Sequence, residues 1–141
     1  MSADSEKVFF DTNILVYLQD SRDRQKQERA RDLFSQCTAD KHAVISTQVL
    51  QEFSNVCIRK LNQDKMIVKQ IVHALWTNTP TVQINPLLIE SAIEITRQTN
   101  FSLFDSLIIA SAAAAGCSVL YTEDMNNGQT VNGVRIVNPF L

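Results

Sequence analysis

Acidic residues stand at several points where an apolar segment of the chain ends or a predicted helix begins. The candidates are Asp11, Glu52, Asp105 and Asp124. Two carboxylates about 5 Å apart repel by roughly 3 kcal/mol at an effective dielectric constant of about 20, so a cluster must hold protons or a cation. Carboxylate oxygens suit the hard cations Mg²⁺ or Mn²⁺. Such an ion supports phosphodiester hydrolysis, since it polarises the phosphate and activates water.

Short apolar segments alternate with segments of helical periodicity. The predicted strands are 7–10, 43–45, 81–84, 118–122 and 133–137, and the predicted helices are 13–18, 25–37, 46–61, 64–76, 85–99 and 102–116. Strands this short and apolar indicate a parallel sheet with helices on both faces, an α/β fold. Ligands bind such sheets beyond the carboxyl ends of the strands. The acidic residues are therefore predicted to share one rim of the sheet.

Length and composition are those of one globular domain, which we assign to residues 1–141 with a polar N-terminal tail at 1–6. The net charge of −2 gives no global sign of nucleic-acid binding. No apolar run is long enough for a membrane span and the start has no signal-peptide core, so a cytoplasmic protein is expected. The cysteines, Cys37, Cys57 and Cys117, lack metal-site spacing and are predicted to be buried reduced thiols.

Each acidic residue also has a purely structural explanation. Asp11 and Asp105 could cap helices, Glu52 could be an exposed helix residue, and the Glu123–Asp124 pair could belong to a turn. For each acid taken singly, the structural explanation is about as good as a functional one. Four carboxylates on one rim are harder to explain structurally.

The segments "FFDTNILVYL", "VLQEF", "FSLFDSLIIASAAAAG" and "LYTEDMNNG" resemble the acidic motifs of PIN-domain ribonucleases, and of VapC-type toxins of toxin–antitoxin pairs in particular. The resemblance runs from residue 7 to about residue 137. It implies a PIN-like three-layer α/β/α sandwich with a parallel sheet of about five strands. It also implies an Mg²⁺- or Mn²⁺-dependent endoribonuclease that forms a homodimer and binds an antitoxin protein.

Transfer of the motifs by position gives the catalytic and metal-binding residues Asp11, Glu52, Asp105 and Asp124, with Asn13 and Thr122 as supporting residues. The supporting side chains are expected to hold the carboxylates by hydrogen bonds, with Asn13 fixing Asp11. An arginine or lysine of the antitoxin is expected near the carboxylates. Apolar surface near residues 16–18 is expected to bury against the antitoxin.

Two adjacent acids, Glu123 and Asp124, compete for the last position of this set. If the preceding strand continues for two residues, alternation of side chains places Asp124 with Thr122 and places Glu123 with Tyr121. A hydroxyl suits a polar rim and a tyrosine suits the packed side. The alternation therefore assigns Asp124 to the site and Glu123 outside it.

Basic residues form two groups, and the second is the better candidate for contact with RNA phosphates. That group is Arg59, Lys60, Lys65 and Lys69. The first group is interleaved with acids, which favours a solvated face; it is Arg22, Arg24, Lys26, Arg29 and Arg31. His42 and His73 are isolated and are not expected to be catalytic. Trp76 is predicted to lie in the core or an interface.

Two other functions remain open from the residues. A PIN fold could serve only as an RNA- or protein-binding module, although such a role has no use for clustered acids. A phosphatase of the haloacid dehalogenase type also begins with an aspartate after its first strand. It needs a second aspartate two residues later, where this chain has Asn13.

Overall fold

The computed structural model describes residues 6–141. The strands are β1 (Lys7–Phe10), β2 (Ala43–Ser46), β3 (Thr81–Val82), β4 (Cys117–Tyr121), β5 (Thr130–Val131) and β6 (Val134–Val137). The helices are α1 (Thr12–Tyr17), α2 (Arg24–Ala39), α3 (Thr47–Arg59), α4 (Lys65–Asn78), α5 (Pro86–Gln98) and α6 (Leu103–Ala114). The predicted alternation of strands and helices is confirmed.

The strands form one sheet in the order β3-β2-β1-β4-β6-β5. All neighbouring strands pair in parallel except β5, which pairs antiparallel with β6. The prediction of a parallel sheet of about five strands is confirmed, and β5 adds a sixth, antiparallel strand at the edge. The additional strand arises from a hairpin turn at Asn132 and Gly133, both of which have positive φ. An Asn-Gly pair favours this type of turn.

The chain changes direction across the sheet between β1 and β4. From β1 it proceeds to β2 and β3, and it then crosses back to β4 on the other side of β1. Because such crossovers are right-handed, α1 to α4 cover one face and α5 and α6 cover the other. Accordingly α1 packs on α2 and α3, whereas α5 packs on α6. The predicted layers are confirmed, and the reversal point is where such sheets bind ligands.

The helices that begin near this point have polar caps. Asp11 caps α1, the buried Ser46 caps α3, and Ser102 caps α6 by accepting a hydrogen bond from the Asp105 N–H. From Ser106 to Ala112 every residue of α6 is buried, which confirms the prediction of a buried helix. The caps and the buried helix fix the ends of α1, α3 and α6 relative to β1 and β4.

Several predictions concern single residues or segments. Trp76 is 50% exposed, which excludes the core, and its place in an interface stays a prediction. All three cysteines are free, and Cys37 is only half-buried. The predicted tail at 1–6 lies outside the described residues except for Glu6. No helix within 6–141 has the length and apolarity needed to cross a bilayer.

Candidate active site

One cavity of about 490 Å³ lies beyond the carboxyl ends of β1 and β4. All four predicted acids line it: Asp11, Glu52, Asp105 and Asp124. They come from the end of β1, the second turn of α3, the first turn of α6 and the loop after β4. The structure therefore brings together four carboxylates that the chain separates. We call these residues the acidic quartet and the space between them the acid cavity.

Asp11 is held at the base of the acid cavity and is only 7% exposed. Its Oδ1 accepts a hydrogen bond from the Thr12 N–H at 2.7 Å, and its Oδ2 accepts one from the Thr122 hydroxyl at 2.8 Å. Thr122 is reached because β1 and β4 pair in register, with Phe10 opposite Tyr121. The residues that follow the two strands therefore meet. Thr122 supports a carboxylate, as predicted for it.

Asn13 supports Asp124 and not Asp11, which corrects the partner expected from the sequence. Its Nδ2 donates to Asp124 Oδ2 at 2.9 Å, and its Oδ1 accepts from the Glu123 N–H at 3.2 Å. The Asp124 N–H donates to the Thr122 hydroxyl oxygen at 3.2 Å. Asn13 lies in the first turn of α1, so its amide reaches the neighbouring loop across the rim and not the residue at the helix cap.

Glu52 is positioned by two residues that the sequence analysis did not single out. The Thr12 hydroxyl donates to Glu52 Oε2 at 2.9 Å, and Gln48 Nε2 donates to Oε1 at 3.1 Å. Gln48 Nε2 also donates to the carbonyl of Phe104 at 3.1 Å, which links α3 to the start of α6. The spacing of four residues between Gln48 and Glu52 places both on one helix face, a signal that could have identified the glutamine.

Burial and mutual repulsion disfavour ionisation of two members of the quartet. Burial raises the pKa of Asp11 from 3.8 to about 6, against its two hydrogen bonds and with a further increase from Glu52 and Asp105. The pKa of Asp105 is also raised, by burial first and then by the charges of Asp124 and Glu52. Among residues 6–141, no quartet carboxylate forms a salt bridge. The cluster therefore favours a proton or a cation.

Comparison with known proteins identifies the family. A model of the PIN domain matches residues 8–127, which include the whole acidic quartet. The chain belongs to the PIN-domain family. A comparison with curated proteins gives no match.

Solved structures share the fold of this PIN domain. A toxin–antitoxin complex from Klebsiella pneumoniae has a TM-score of 0.71 and 21% identity, over 94% of this chain and 98% of that one. The Mycobacterium tuberculosis toxin VapC20, described as cleaving the sarcin–ricin loop, has a TM-score of 0.69 and 19% identity, over 84% of this chain and 90% of that one. A DNA-bound VapBC from Salmonella typhimurium has a TM-score of 0.68 and 18% identity, over 93% of this chain and 96% of that one.

The two adjacent acids of the loop after β4 have different surroundings in this PIN domain. Asp124 lines the acid cavity, whereas Glu123 accepts a hydrogen bond from the Tyr17 hydroxyl at 2.6 Å and forms a salt bridge with Lys26. The strand ends at Tyr121, so the strand alternation expected from the sequence does not apply to these residues. The hydrogen bonds that Asn13 and Thr122 make with the loop determine its course instead.

Of the predicted RNA-contact residues, only Lys60 lines the acid cavity. Arg59, Lys65 and Lys69 are exposed but lie outside it. From the other basic group, Arg22 also lines the cavity. The expected apolar surface at Val16, Tyr17 and Leu18 is partly buried against the core, and Val16 and Tyr17 line the cavity.

The donor set of this PIN domain suits a hard divalent cation. The quartet offers only oxygen atoms, and within residues 6–141 no salt bridge balances its charge. Within residues 6–141, no three His, Cys, Asp or Glu side chains are close enough to hold one ion directly. That arrangement is compatible with Mg²⁺, which keeps several waters and takes only one or two carboxylates directly.

Proposed function

We propose that the protein is a divalent-metal-dependent endoribonuclease and the toxin of a toxin–antitoxin pair. The observation that carries the proposal is the acidic quartet. Four carboxylates from distant parts of the chain line one cavity without a salt-bridge partner within residues 6–141. Such an arrangement costs stability, and a cation that binds there offsets the cost. Membership of the PIN-domain family supports a nuclease function.

Asp11, Glu52, Asp105 and Asp124 would hold Mg²⁺ or Mn²⁺ in the acid cavity, one or two of them directly and the others through its bound waters. When bound, the ion would polarise the scissile phosphate and activate the water that attacks it. The chain's own residues contribute by holding the carboxylates in position. Thr122 and the Thr12 N–H fix Asp11 and the Asn13 amide fixes Asp124, through the hydrogen bonds described above.

The remaining carboxylates are positioned from the helical side of the cavity. Thr12 and Gln48 fix Glu52, and Gln48 also bonds the Phe104 carbonyl, one residue before Asp105. Each of the bonded carboxylate oxygens accepts one hydrogen bond from these donors and keeps a second lone-pair site. The RNA would enter with its phosphates over the quartet, and Lys60 at the cavity wall would contact one of them. Arg59, Lys65 and Lys69 would contact RNA beyond the cavity.

The partner is inferred from the neighbours of the same fold. The structures from Klebsiella pneumoniae and Salmonella typhimurium are a toxin–antitoxin complex and a VapBC complex. We infer an antitoxin protein that places a basic side chain in the acid cavity, where it would supply the missing positive charge. We also propose a homodimer in the cytoplasm. Expression of the chain alone should slow growth, and co-expression of the antitoxin should relieve it.

The alternative functions have less support. A phosphatase of the haloacid dehalogenase type needs a general acid at position 13, whereas the Asn13 amide is a hydrogen-bond donor to Asp124. A silent binding module would have no use for four unneutralised carboxylates. The structure offers no observation that favours either function over RNA cleavage.

The proposal is tested with purified protein and end-labelled RNA. We expect cleavage with Mg²⁺ or Mn²⁺, no cleavage after excess chelator, and recovery when the ion is restored. Asp11→Asn keeps the size of the side chain and removes one charge, so we expect a folded protein without cleavage. Glu94→Gln serves as the matched control, since Glu94 is an exposed acid of α5 outside the acid cavity. Full cleavage in chelator, or by Asp11→Asn, would contradict the proposal.

A further inference from the structure

Arg22 differs from the other basic residues of the first group in where its side chain lies. It belongs to the loop between α1 and α2 and lines the acid cavity. Lys26 is engaged by Glu123, and Arg29 and Arg31 donate to main-chain carbonyls of Pro139 and Leu18. Arg24 does not line the cavity. The presence of acids along this part of the chain therefore predicts a solvated face for the group as a whole, but it does not predict that Arg22 lines the acid cavity.

A buried carboxylate anchors Arg22. Asp20 is 8% exposed, and its oxygens accept from Arg22 Nε at 2.9 Å and from Nη2 at 2.8 Å. Asp20 Oδ1 also accepts from the Arg22 main-chain N–H at 3.1 Å. These bonds lower the pKa of Asp20, so the carboxylate stays ionised. Both the start of the loop and the guanidinium plane are fixed by the same side chain.

The guanidinium remains available although it is anchored. The Arg22 side chain is 75% exposed, and within residues 6–141 Asp20 is its only hydrogen-bond partner. A guanidinium has five N–H donors in a planar fork, and Asp20 occupies only one edge of it. The free donors match the geometry of a phosphate.

We propose that Arg22, positioned by Asp20, binds an RNA phosphate next to the one that is cleaved. This inference rests on the proposed ribonuclease function and extends it to the path of the substrate. Lys60, at the C-terminal cap of α3, is the other basic residue that lines the acid cavity. RNA is polyanionic, so it needs cations beside an acidic site to offset repulsion from the quartet. Arg22 and Lys60 would supply them, on two different elements.

The binding test uses a fluorescently labelled RNA 20-mer of random sequence and the Asp11→Asn background, so that the RNA stays intact. Anisotropy is recorded in Mg²⁺ at several KCl concentrations. We expect Arg22→Gln to raise Kd about tenfold and to reduce the salt slope by about 0.7, the loss of one phosphate contact on a single strand. Arg22→Lys keeps the charge but loses the fork, so we expect an intermediate Kd with the salt slope unchanged.

The matched control is Arg97→Gln. Arg97 is an exposed arginine paired with a carboxylate, Glu94, but it lies on α5 away from the acid cavity. The substitution changes the net charge by the same amount as Arg22→Gln, so a global charge effect would appear in both. We expect Arg97→Gln to bind RNA like its background. Equal Kd values and salt slopes for the Arg22→Gln and Arg97→Gln variants would overturn the inference.

Asp20→Asn tests the positioning role of the anchor. Loss of a negative charge beside the cavity would strengthen RNA binding if only charge mattered. If Asp20 positions the guanidinium, Kd should rise instead, and unchanged or tighter binding would refute that role. In the wild-type background, Arg22→Gln should raise KM for RNA and leave kcat nearly unchanged.

The two proposals fail in different ways. Wild-type protein that binds RNA but does not cleave it in Mg²⁺ would refute the ribonuclease and not the Arg22 contact. Cleavage by the wild type with equal binding by the Arg22→Gln and Arg97→Gln variants would refute only the contact. Circular dichroism and urea unfolding of each variant establish that it is folded before it is assayed.

Discussion

Two neighbouring clusters of charged side chains lie on either side of the loop after β4. Inside, the acidic quartet lines the acid cavity without a salt bridge in the described part of the chain. Outside, Glu123 pairs with Lys26 and accepts a hydrogen bond from Tyr17. We call these three residues the outer cluster; Tyr17 also lines the acid cavity, whereas Glu123 and Lys26 do not. One peptide bond separates Asp124 of the quartet from Glu123 of the outer cluster.

The two clusters differ in whether their negative charges are balanced by a neighbouring cation. Glu123 has a cation, and Lys26 also lies over the rings of Tyr17 and Phe140. In the quartet, hydrogen-bond donors hold Asp11, Glu52 and Asp124 in place but do not neutralise their charges. An arrangement that keeps repelling charges fixed costs stability, and such costs are typical of functional sites. The outer cluster is an ordinary surface arrangement that anchors the same loop.

The largest difference is expected from alanine substitutions of the two adjacent acids. Asp124→Ala removes a member of the quartet, and a loss of about 3 kcal/mol of transition-state stabilisation corresponds to more than about 100-fold in rate. Glu123→Ala removes an anchor of the loop and should stay within a factor of a few of wild type. Both are assayed on labelled RNA over a range of Mg²⁺. If Glu123→Ala lost more activity than Asp124→Ala, the assignment of Asp124 to the site would be wrong.

The next effect concerns pH and the metal-free protein. Asp11 has a pKa of about 6 when folded against 3.8 for an unperturbed carboxyl, so the unfolded state loses its proton first as pH rises. The free energy of unfolding should therefore fall between about pH 4 and pH 6, by up to about 3 kcal/mol. Asp105 acts in the same direction.

Urea unfolding in chelator at successive pH values measures this slope. Asp20 has a lowered pKa, so its contribution is lost only as pH falls below about 4, outside the window. Asp11→Asn should remove most of the slope and be more stable than wild type at pH 7, and Mg²⁺ should stabilise the wild type. A wild-type slope that Asp11→Asn leaves intact would mean that Asp11 ionises freely.

A smaller effect is expected from the buried amide that supports Glu52. Gln48→Leu removes the donor shared by Glu52 and the Phe104 carbonyl. Loss of a residue that orients a metal-binding carboxylate typically costs about 10- to 100-fold in metal affinity, and we expect the lower end because Thr12 still holds Glu52. Higher Mg²⁺ should restore cleavage. A loss of rate that Mg²⁺ does not restore would indicate a general disturbance of α3.

The smallest effect is expected in the outer cluster. Lys26→Met removes its only cation and keeps an apolar chain over Tyr17 and Phe140. The Lys26–Glu123 pair is only partly buried, and solvent and salt screen such pairs, so the urea midpoint should decrease slightly, and less so at high salt. The Mg²⁺ dependence of cleavage should not change. A large shift in that dependence would mean that the two clusters are not separate.

The sequence specifies the features that depend on local pattern. That Asp11, Asp105 and Asp124 line one cavity could be predicted because each follows a strand or opens a helix, and the buried α6 could be predicted because its residues are apolar nearly all round. The Asn132–Gly133 turn was missed, since Gly133 was assigned to the last predicted strand, and the strand β5 of only two residues before it was missed with it. Elements of that length carry too little periodicity to be recognised.

Contacts across the fold could not be predicted from the sequence in the same way. Asn13 was expected to hold Asp11, but its amide reaches Asp124 because β1 and β4 end side by side. Arg22 was grouped with its neighbours along the chain, whereas the turn at Asp20 directs it into the cavity. Local sequence determines which element a residue occupies, but only the packed sheet determines which partner it meets.

The proposed activity requires that the acidic quartet holds a divalent ion. Titration of metal-free protein with Mn²⁺, followed by calorimetry, measures that binding without any RNA. We expect saturable binding by wild type and by Glu123→Gln, and at least about 10-fold weaker binding by Asp11→Asn and Asp124→Asn. Equal Mn²⁺ affinity in all four proteins, or no binding by the wild type, would contradict the account.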